Sequence, residues 1–253
     1  MVPLEGEAAD RVLAWEADAP RSISLRHALI HRREGLWGDH PRSPRSVLLV
    51  READAPEGCH AFGAGAAEPA VGWLARRGRP FSLLAPEGWE GALRRRSPSV
   101  LRGIVETWAR SGGAREAPRA ATGVAARRLT RSDGPAFAAT SPAWALLGWG
   151  EFARLIEHGA AVGVPDRDGR LAAVAWIFES DDGRDSLAVA TDARYRRLGL
   201  GRAAASALLA HVEDGRRKAP LWTVDAANVP SRALARSLGF AVRARETVLR
   251  WSP

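Results

Sequence analysis

The stretch Arg196-Arg197-Leu198-Gly199-Leu200-Gly201 stands between a short apolar run, Leu187 to Thr191, and an alanine-rich segment that begins near Leu200. That order reads as strand, loop and helix. Glycines at 199 and 201 remove the Cβ atoms that would keep a ligand from the backbone, so N–H groups at the helix start can face an anion. Arg194, Arg196, Arg197 and Arg202 surround the same turn with planar donors suited to phosphate. The segment is a candidate pyrophosphate cradle. It is neither a P-loop, which needs Gly-Lys-Ser/Thr, nor a dinucleotide fingerprint, because Ala204 stands where the third glycine belongs.

A second segment follows, Asn228-Val229-Pro230-Ser231-Arg232-Ala233-Leu234-Ala235-Arg236-Ser237-Leu238-Gly239-Phe240. It reads as a loop after a strand over Leu221 to Val224, then a helix opened near Pro230 and closed by Gly239, with Phe240 beginning another strand. Upstream, Leu171 to Phe178 is a nearly continuous apolar strand after the turn Asp166-Arg167-Asp168-Gly169, and Asp181-Asp182-Gly183 turns it towards Leu187.

Arg196, Gly199 and Gly201, followed at this spacing by the Asn228 to Phe240 segment, resemble the two signature stretches of the GNAT superfamily of N-acetyltransferases. The resemblance covers about residues 124 to 253. It implies an α/β fold of the α+β kind, a mixed and mostly antiparallel sheet flanked by helices. It also implies acetyl-CoA as acyl donor and an amine as acceptor. On that resemblance the pyrophosphate falls to Arg196, Arg197, Leu198, Gly199, Leu200, Gly201 and Arg202. The pantetheine arm falls between two splayed strands, Leu187 to Thr191 and Leu221 to Val224. Val189, Ala190 and Thr191 line one side of the arm, Asn228 and Ser231 the other, and a backbone N–H near Val189 is the expected oxyanion donor.

Some members place a carboxylate base eleven residues before the loop's Arg or Gln, and Asp185 has that position. It is the expected catalytic residue, against the alternative that Asp182 to Asp185 is only a polar turn. Glu179 is a second candidate. Many members also carry a tyrosine after the leucine of the Asn228 segment to protonate the departing thiolate, and this chain has Ala235 there. Ser231, another side chain or water is left to serve, helped by a thiol pKa of about 8.5. Two readings stay open, an acyl-CoA-dependent N-acyltransferase and an acyl-CoA-binding sensor without catalysis.

The chain of 253 residues is 46% hydrophobic with 10 tryptophans, which suits one or two globular domains. Its formal charge of +8 is dispersed, carried almost wholly by arginine, and accompanied by no groove-reading or stacking motif. Nucleic acid is therefore not an expected partner. Cys59 is the single cysteine, and no apolar run approaches the length of a membrane span, so a cytoplasmic, membrane-independent protein is expected. His27 and His31 are four apart, yet Ala28 stands where a zinc-protease motif needs Glu, and no metal is expected.

Ser111 to Pro118 forms the best linker, giving an N-terminal domain over 1–110, a linker over 111–123 and a catalytic domain over 124–253. Helix over Ile23 to Ile30, strand over Val47 to Val50, helix over Ala66 to Arg77 and strand over Phe81 to Leu84 make the first domain a smaller α/β unit. Its layout resembles the divergent half of two-domain GNAT proteins. Val100, Leu101, Ile104, Val105 and Trp108 have helical spacing. Phe62-Gly63-Ala64-Gly65 reads as a glycine turn. The acceptor and the oligomeric state leave no motif.

Overall fold

The computed structural model describes residues 1–4, 7–12, 22–31, 35–51, 57–63, 65, 67–86, 88–97, 99–110 and 125–252. The expected linker over 111–123 lies outside them. Two compact units form, neither contiguous in sequence: 1–106 with 225–227 and 244–253, and 107–224 with 228–243.

The first unit contains β1 (Val2–Pro3), α1 (Glu7–Val12), α2 (Ser22–Ile30), β2 (Gly35–Gly38), β3 (Val47–Arg51), β4 (Glu57–Phe62), α3 (Ala67–Arg76), β5 (Phe81–Leu84) and α4 (Trp89–Arg96). Strands β1 to β4 pair antiparallel in order, and β4 and β5 are parallel. Their buried residues are largely β-branched and aliphatic, including Val47, Leu48, Leu49, Val50 and Leu83. In the Gly63 turn, a Cβ at Gly65 would meet Ser46 Oγ at 2.1 Å and the Arg45 carbonyl carbon at 2.9 Å. This turn is filled by its own chain.

The second unit takes residues 107–110 from β6 (Leu101–Arg110), then β7 (Arg127–Arg128), α5 (Gly134–Thr140), α6 (Phe152–His158), β8 (Ala161–Pro165), β9 (Leu171–Ser180), β10 (Arg184–Thr191), α7 (Leu200–Ala210), β11 (Ala219–Asp225), α8 (Val229–Ser237) and the start of β12 (Phe240–Trp251). The sheet order is β7-β8-β9-β10-β11-β6, antiparallel as far as β10 and parallel between β10 and β11. The first unit runs β1-β2-β3-β4-β5-β12 in the same pattern, with β12 joining through Val248 to Trp251. Each unit thus takes its sixth strand from residues that follow the other in sequence.

One element departs from its expectation. Val100 to Trp108 has helical spacing, but Leu101–Arg110 is strand. Ile104, Val105 and Thr107 are β-branched and stiff at χ1, and Gly103 weakens a helix, so the sheet wins the segment.

Strand β9 is buried from Leu171 through Ile177, as a strand covered on both faces must be. Helix α7 lays Leu200, Ala203, Ala204, Leu208 and Leu209 into the core that contains β9. Its alanines let it approach closely. Asp166 Oδ1 accepts from Asp168 N and Arg170 N, and Gly169 has φ of 79°, which fixes the β8–β9 turn. Asp181 does the same for the β9–β10 turn, accepting from Gly183 N and Arg184 N.

Candidate acyl-coenzyme A site

Four pairs join β10 to β11: Arg184 with Ala219, Asp185 with Pro220, Ser186 with Leu221 and Leu187 with Trp222. Pairing between the two stops there. Ala188 to Thr191 continue on β9 alone, from Ala188 opposite Trp176 to Thr191 opposite Ala173. Burial changes at the same point, since Asp185, Ser186 and Leu187 are buried while Ala188 through Thr191 are half-exposed. One edge of β10 therefore turns its N–H and C=O groups towards an opening, the geometry that receives an extended peptide-like ligand as an added strand. Val189, Ala190 and Thr191 all lie on that edge.

At the end of β10, Asp192 caps a 3-10 turn over Ala193–Tyr195 by accepting from Arg194 N at 2.9 Å. The Arg194 guanidinium also bonds this carboxylate, at 2.7 Å, and the side-chain bond holds the Asp192 pKa down to about 2. Tyr195 packs on the core and donates to Asp166 Oδ2 at 2.8 Å, tying the loop to the β8–β9 turn. That bond to a carboxylate raises the Tyr195 pKa.

Arg197 has φ of 67° and Gly199 has φ of 79°, so the loop enters the left-handed region at a non-glycine residue and again at the helix N-cap. A left-handed residue followed by helix turns successive N–H groups into one concavity, which suits an anion. The first intrahelical bond of α7 runs from Ala203 N to Gly199 O, so Leu200, Gly201 and Arg202 precede it and their N–H groups face outward from the helix end. A Cβ at Gly199 would meet nothing within 4 Å, which leaves space beside those donors. Gly201 is different, because a Cβ there would lie 2.7 Å from Thr191 Oγ1 and 3.5 Å from Val189 Cγ1. It holds the helix start against the open edge of β10. Arg196, Arg197, Leu198 and Arg202 are exposed around the concavity.

Asn228 caps α8, its Oδ1 accepting from Ser231 N at 3.2 Å. Ser231 Oγ accepts from Trp222 Nε1 at 3.0 Å. The two polar residues expected beside the arm thus position α8 and the last paired residue of β11. Ala235 is fully buried in the core.

Asp185 does not have the setting expected of a base. Its side chain is fully buried. Oδ2 accepts from Arg216 Nε at 2.6 Å, and Oδ1 accepts from Ser180 Oγ at 2.6 Å, with Lys218 Nζ 3.7 Å away. It also precedes Val189 by about 13 Å, at roughly 3.3 Å per strand residue. A carboxylate so paired holds a buried cluster together. The cluster forms because α7 widens into a π-helical turn at His211–Gly215, closed by Arg216 N to His211 O, which delivers Arg216 and Lys218 to the β9–β10 turn. Lys218 Nζ also donates to the Asp181 carbonyl. Nothing at the level of spacing distinguishes such a cluster from a catalytic carboxylate. Glu179, buried and paired with Ser186, is the next acidic side chain on β9.

The His27 and His31 rings lie 4.6 Å apart between centroids and are tilted by 48°, and among the described residues no group of three or more His, Cys, Asp and Glu is arranged to hold a metal. No helix among them is long and apolar enough to cross a membrane.

A family model described as FR47-like protein matches residues 161–250, which include β8 to β11, the glycine loop and α8. An uncharacterized N-acetyltransferase of Streptomyces virginiae is 43% identical over 102 residues, covering 38% of this chain and 42% of that protein. The matched stretch is therefore less than half of that relative. A GCN5-related N-acetyltransferase-like protein from Streptococcus suis superposes with a TM-score of 0.78 at 18% identity, over 97% of this chain and 98% of its own. A tandem GNAT protein from the clavulanic acid biosynthesis pathway gives 0.65 at 12% identity, over 99% and 97%. At such identities the structures speak for the fold, which runs through both units. The FR47-like match spans β8 to β12 and the GNAT fold extends along the chain, so the chain is similar to GNAT proteins in the sequence of its second unit and in its fold.

Proposed function

We propose that the protein is an acyl-CoA-dependent N-acyltransferase, with acetyl-CoA as donor and an amine of a small molecule or protein as acceptor. One observation carries this reading: β10 loses β11 as a partner after Leu187, and the strand so opened leads directly to the Gly199 concavity. The pantetheine arm would lie along Val189 to Thr191, and the pyrophosphate at the N–H groups of Leu200 to Arg202, with Arg196 and Arg202 adding charge. In the second unit, taken as the catalytic domain, the amine nitrogen attacks the thioester carbonyl carbon. The oxygen draws on a backbone N–H of the open edge near Val189, and the C–S bond breaks. The amine gives up a proton and the departing sulfur gains one. With Asp185 enclosed and Ala235 apolar, water is the proposed carrier at both ends. The first unit, whose glycine turn is filled, is a divergent partner half.

Calorimetric titration of the full chain with acetyl-CoA tests the proposal. Arg196→Ala/Arg202→Ala, changed only at exposed side chains, should weaken binding by about tenfold or more while leaving the unfolding transition in place. Unaltered affinity in that variant would remove the phosphate assignment. Buried Ala235 favours a second reading, a sensor that binds acyl-CoA without transfer. A broad amine screen that releases no thiol from a chain with proven coenzyme binding would select it.

A further inference from the structure

Trp144 is a large apolar side chain left 47% exposed. It sits on the 3-10 turn Ala143–Leu146 between α5 and α6. Its ring lies 5.7 Å from that of Trp176 and 5.7 Å, edge to face, from that of Phe178. The segment is anchored, since Trp149 is fully buried and its Nε1 donates to Ile177 O at 2.7 Å. The three rings are next to the opened strand: Trp176 pairs with Ala188, the first residue of β10 past the β11 ladder. Phe178 is the extra residue of β9 where the register shifts between Ser186 and Leu187.

Trp176 adds a polar signal. Its side chain is fully buried, and Nε1 is an enclosed donor with no hydrogen-bond partner. Native interiors rarely leave such a donor unmet. Phe137 closes one side of the Trp176 ring, with centroids 5.6 Å apart, whereas exposed Trp144 lies over another. Of these two neighbours Phe137 is fully buried, and Trp144 is the one that reaches solvent.

We infer that Trp144, Phe178 and Trp176 form an acceptor subsite for an arylalkylamine whose ring bears a hydrogen-bonding oxygen. The aromatic body packs on Trp144 and Phe178, its oxygen accepts from Trp176 Nε1, and its amine points along β9 to the thioester end of the opening. Aromatic contact and one neutral hydrogen bond supply the preference, and no charged side chain is required. The inference rests on the acyltransferase reading only for the chemistry at the amine.

Binding of tyramine, 2-phenylethylamine and n-butylamine to the full chain, followed by line broadening in the ligand's proton spectrum, provides the test. The expected order is tyramine, then phenylethylamine, then butylamine, with about three- to tenfold at each step. Trp144→Ala should bring phenylethylamine to the level of butylamine, and Trp144→Phe should restore most of the difference. Trp176→Phe keeps a ring but removes the donor, and should abolish only the step between tyramine and phenylethylamine. Because each readout is a ratio within one variant, reduced stability does not obscure it. Equal binding of all three amines, or a ranking that survives Trp144→Ala, overturns the inference. The ranking is read without coenzyme, so failure to bind acetyl-CoA counts against the acyltransferase reading alone.

Discussion

Leu187 faces Trp222 in the last pair of the β10–β11 ladder, and Trp222 is fixed there by its indole bond to Ser231. The point at which the sheet opens is thus set from α8. Removing Ser231 Oγ should loosen that setting. Ser231→Ala leaves the Trp222 donor without its partner and should lower unfolding free energy by about 1–3 kcal/mol. Coenzyme affinity should fall with it, a joint effect that urea titration and calorimetry on the same samples would reveal.

Asp185→Asn is expected to act on stability first. The substitution removes the charge that Arg216 and Lys218 enclose, and breaking a buried pair from one side costs about 3–5 kcal/mol. Folded protein that remains should bind acetyl-CoA as the parent does. A stable variant with turnover reduced a hundredfold would instead restore Asp185 as the base.

Ala235→Tyr would insert a phenol at a fully buried position of the core. Overpacking of this kind costs about 1–3 kcal/mol or more. The expected outcome is a lower denaturation midpoint with no gain in turnover. An active, fully stable tyrosine variant would mean that the site accommodates the acid found in many relatives of this fold.

His211 gives the fold a defined pH response. Burial is the main cause that lowers its pKa below 6.5, aided by Arg128 and Arg216 and opposed by Asp185. The unfolded chain therefore takes up this proton before the folded one does. The contribution is fully present above the unfolded pKa and is lost as pH falls through the interval down to the folded value. Urea midpoints should decline between pH 7.5 and 5.5, and His211→Gln should flatten the part due to this residue.

Much of the second unit was legible because its signals are local. Gly199 at a left-handed N-cap, Asp166 and Asp181 in their turns, and the apolar run of β9 each act within a few residues of themselves. The surroundings of Asp185 were not legible, for the opposite reason. Its role depends on Arg216, delivered by a π-turn that no spacing rule marks. The Val100 to Trp108 segment has helical periodicity, and only its place beside β11 decides for strand. Gly201 gave half its meaning in sequence: it leaves room for a ligand, but it also clears Thr191.

The most direct test is amide hydrogen exchange in the full chain with and without acetyl-CoA. If the donor adds itself as a strand to the opened edge of β10 and sets its phosphates on α7, protection should rise at Val189 to Thr191 and at Leu200 to Arg202. The Asp185 to Leu187 amides, already within the ladder, should change little. Saturating acetyl-CoA that leaves 189–191 and 200–202 unprotected would contradict the account.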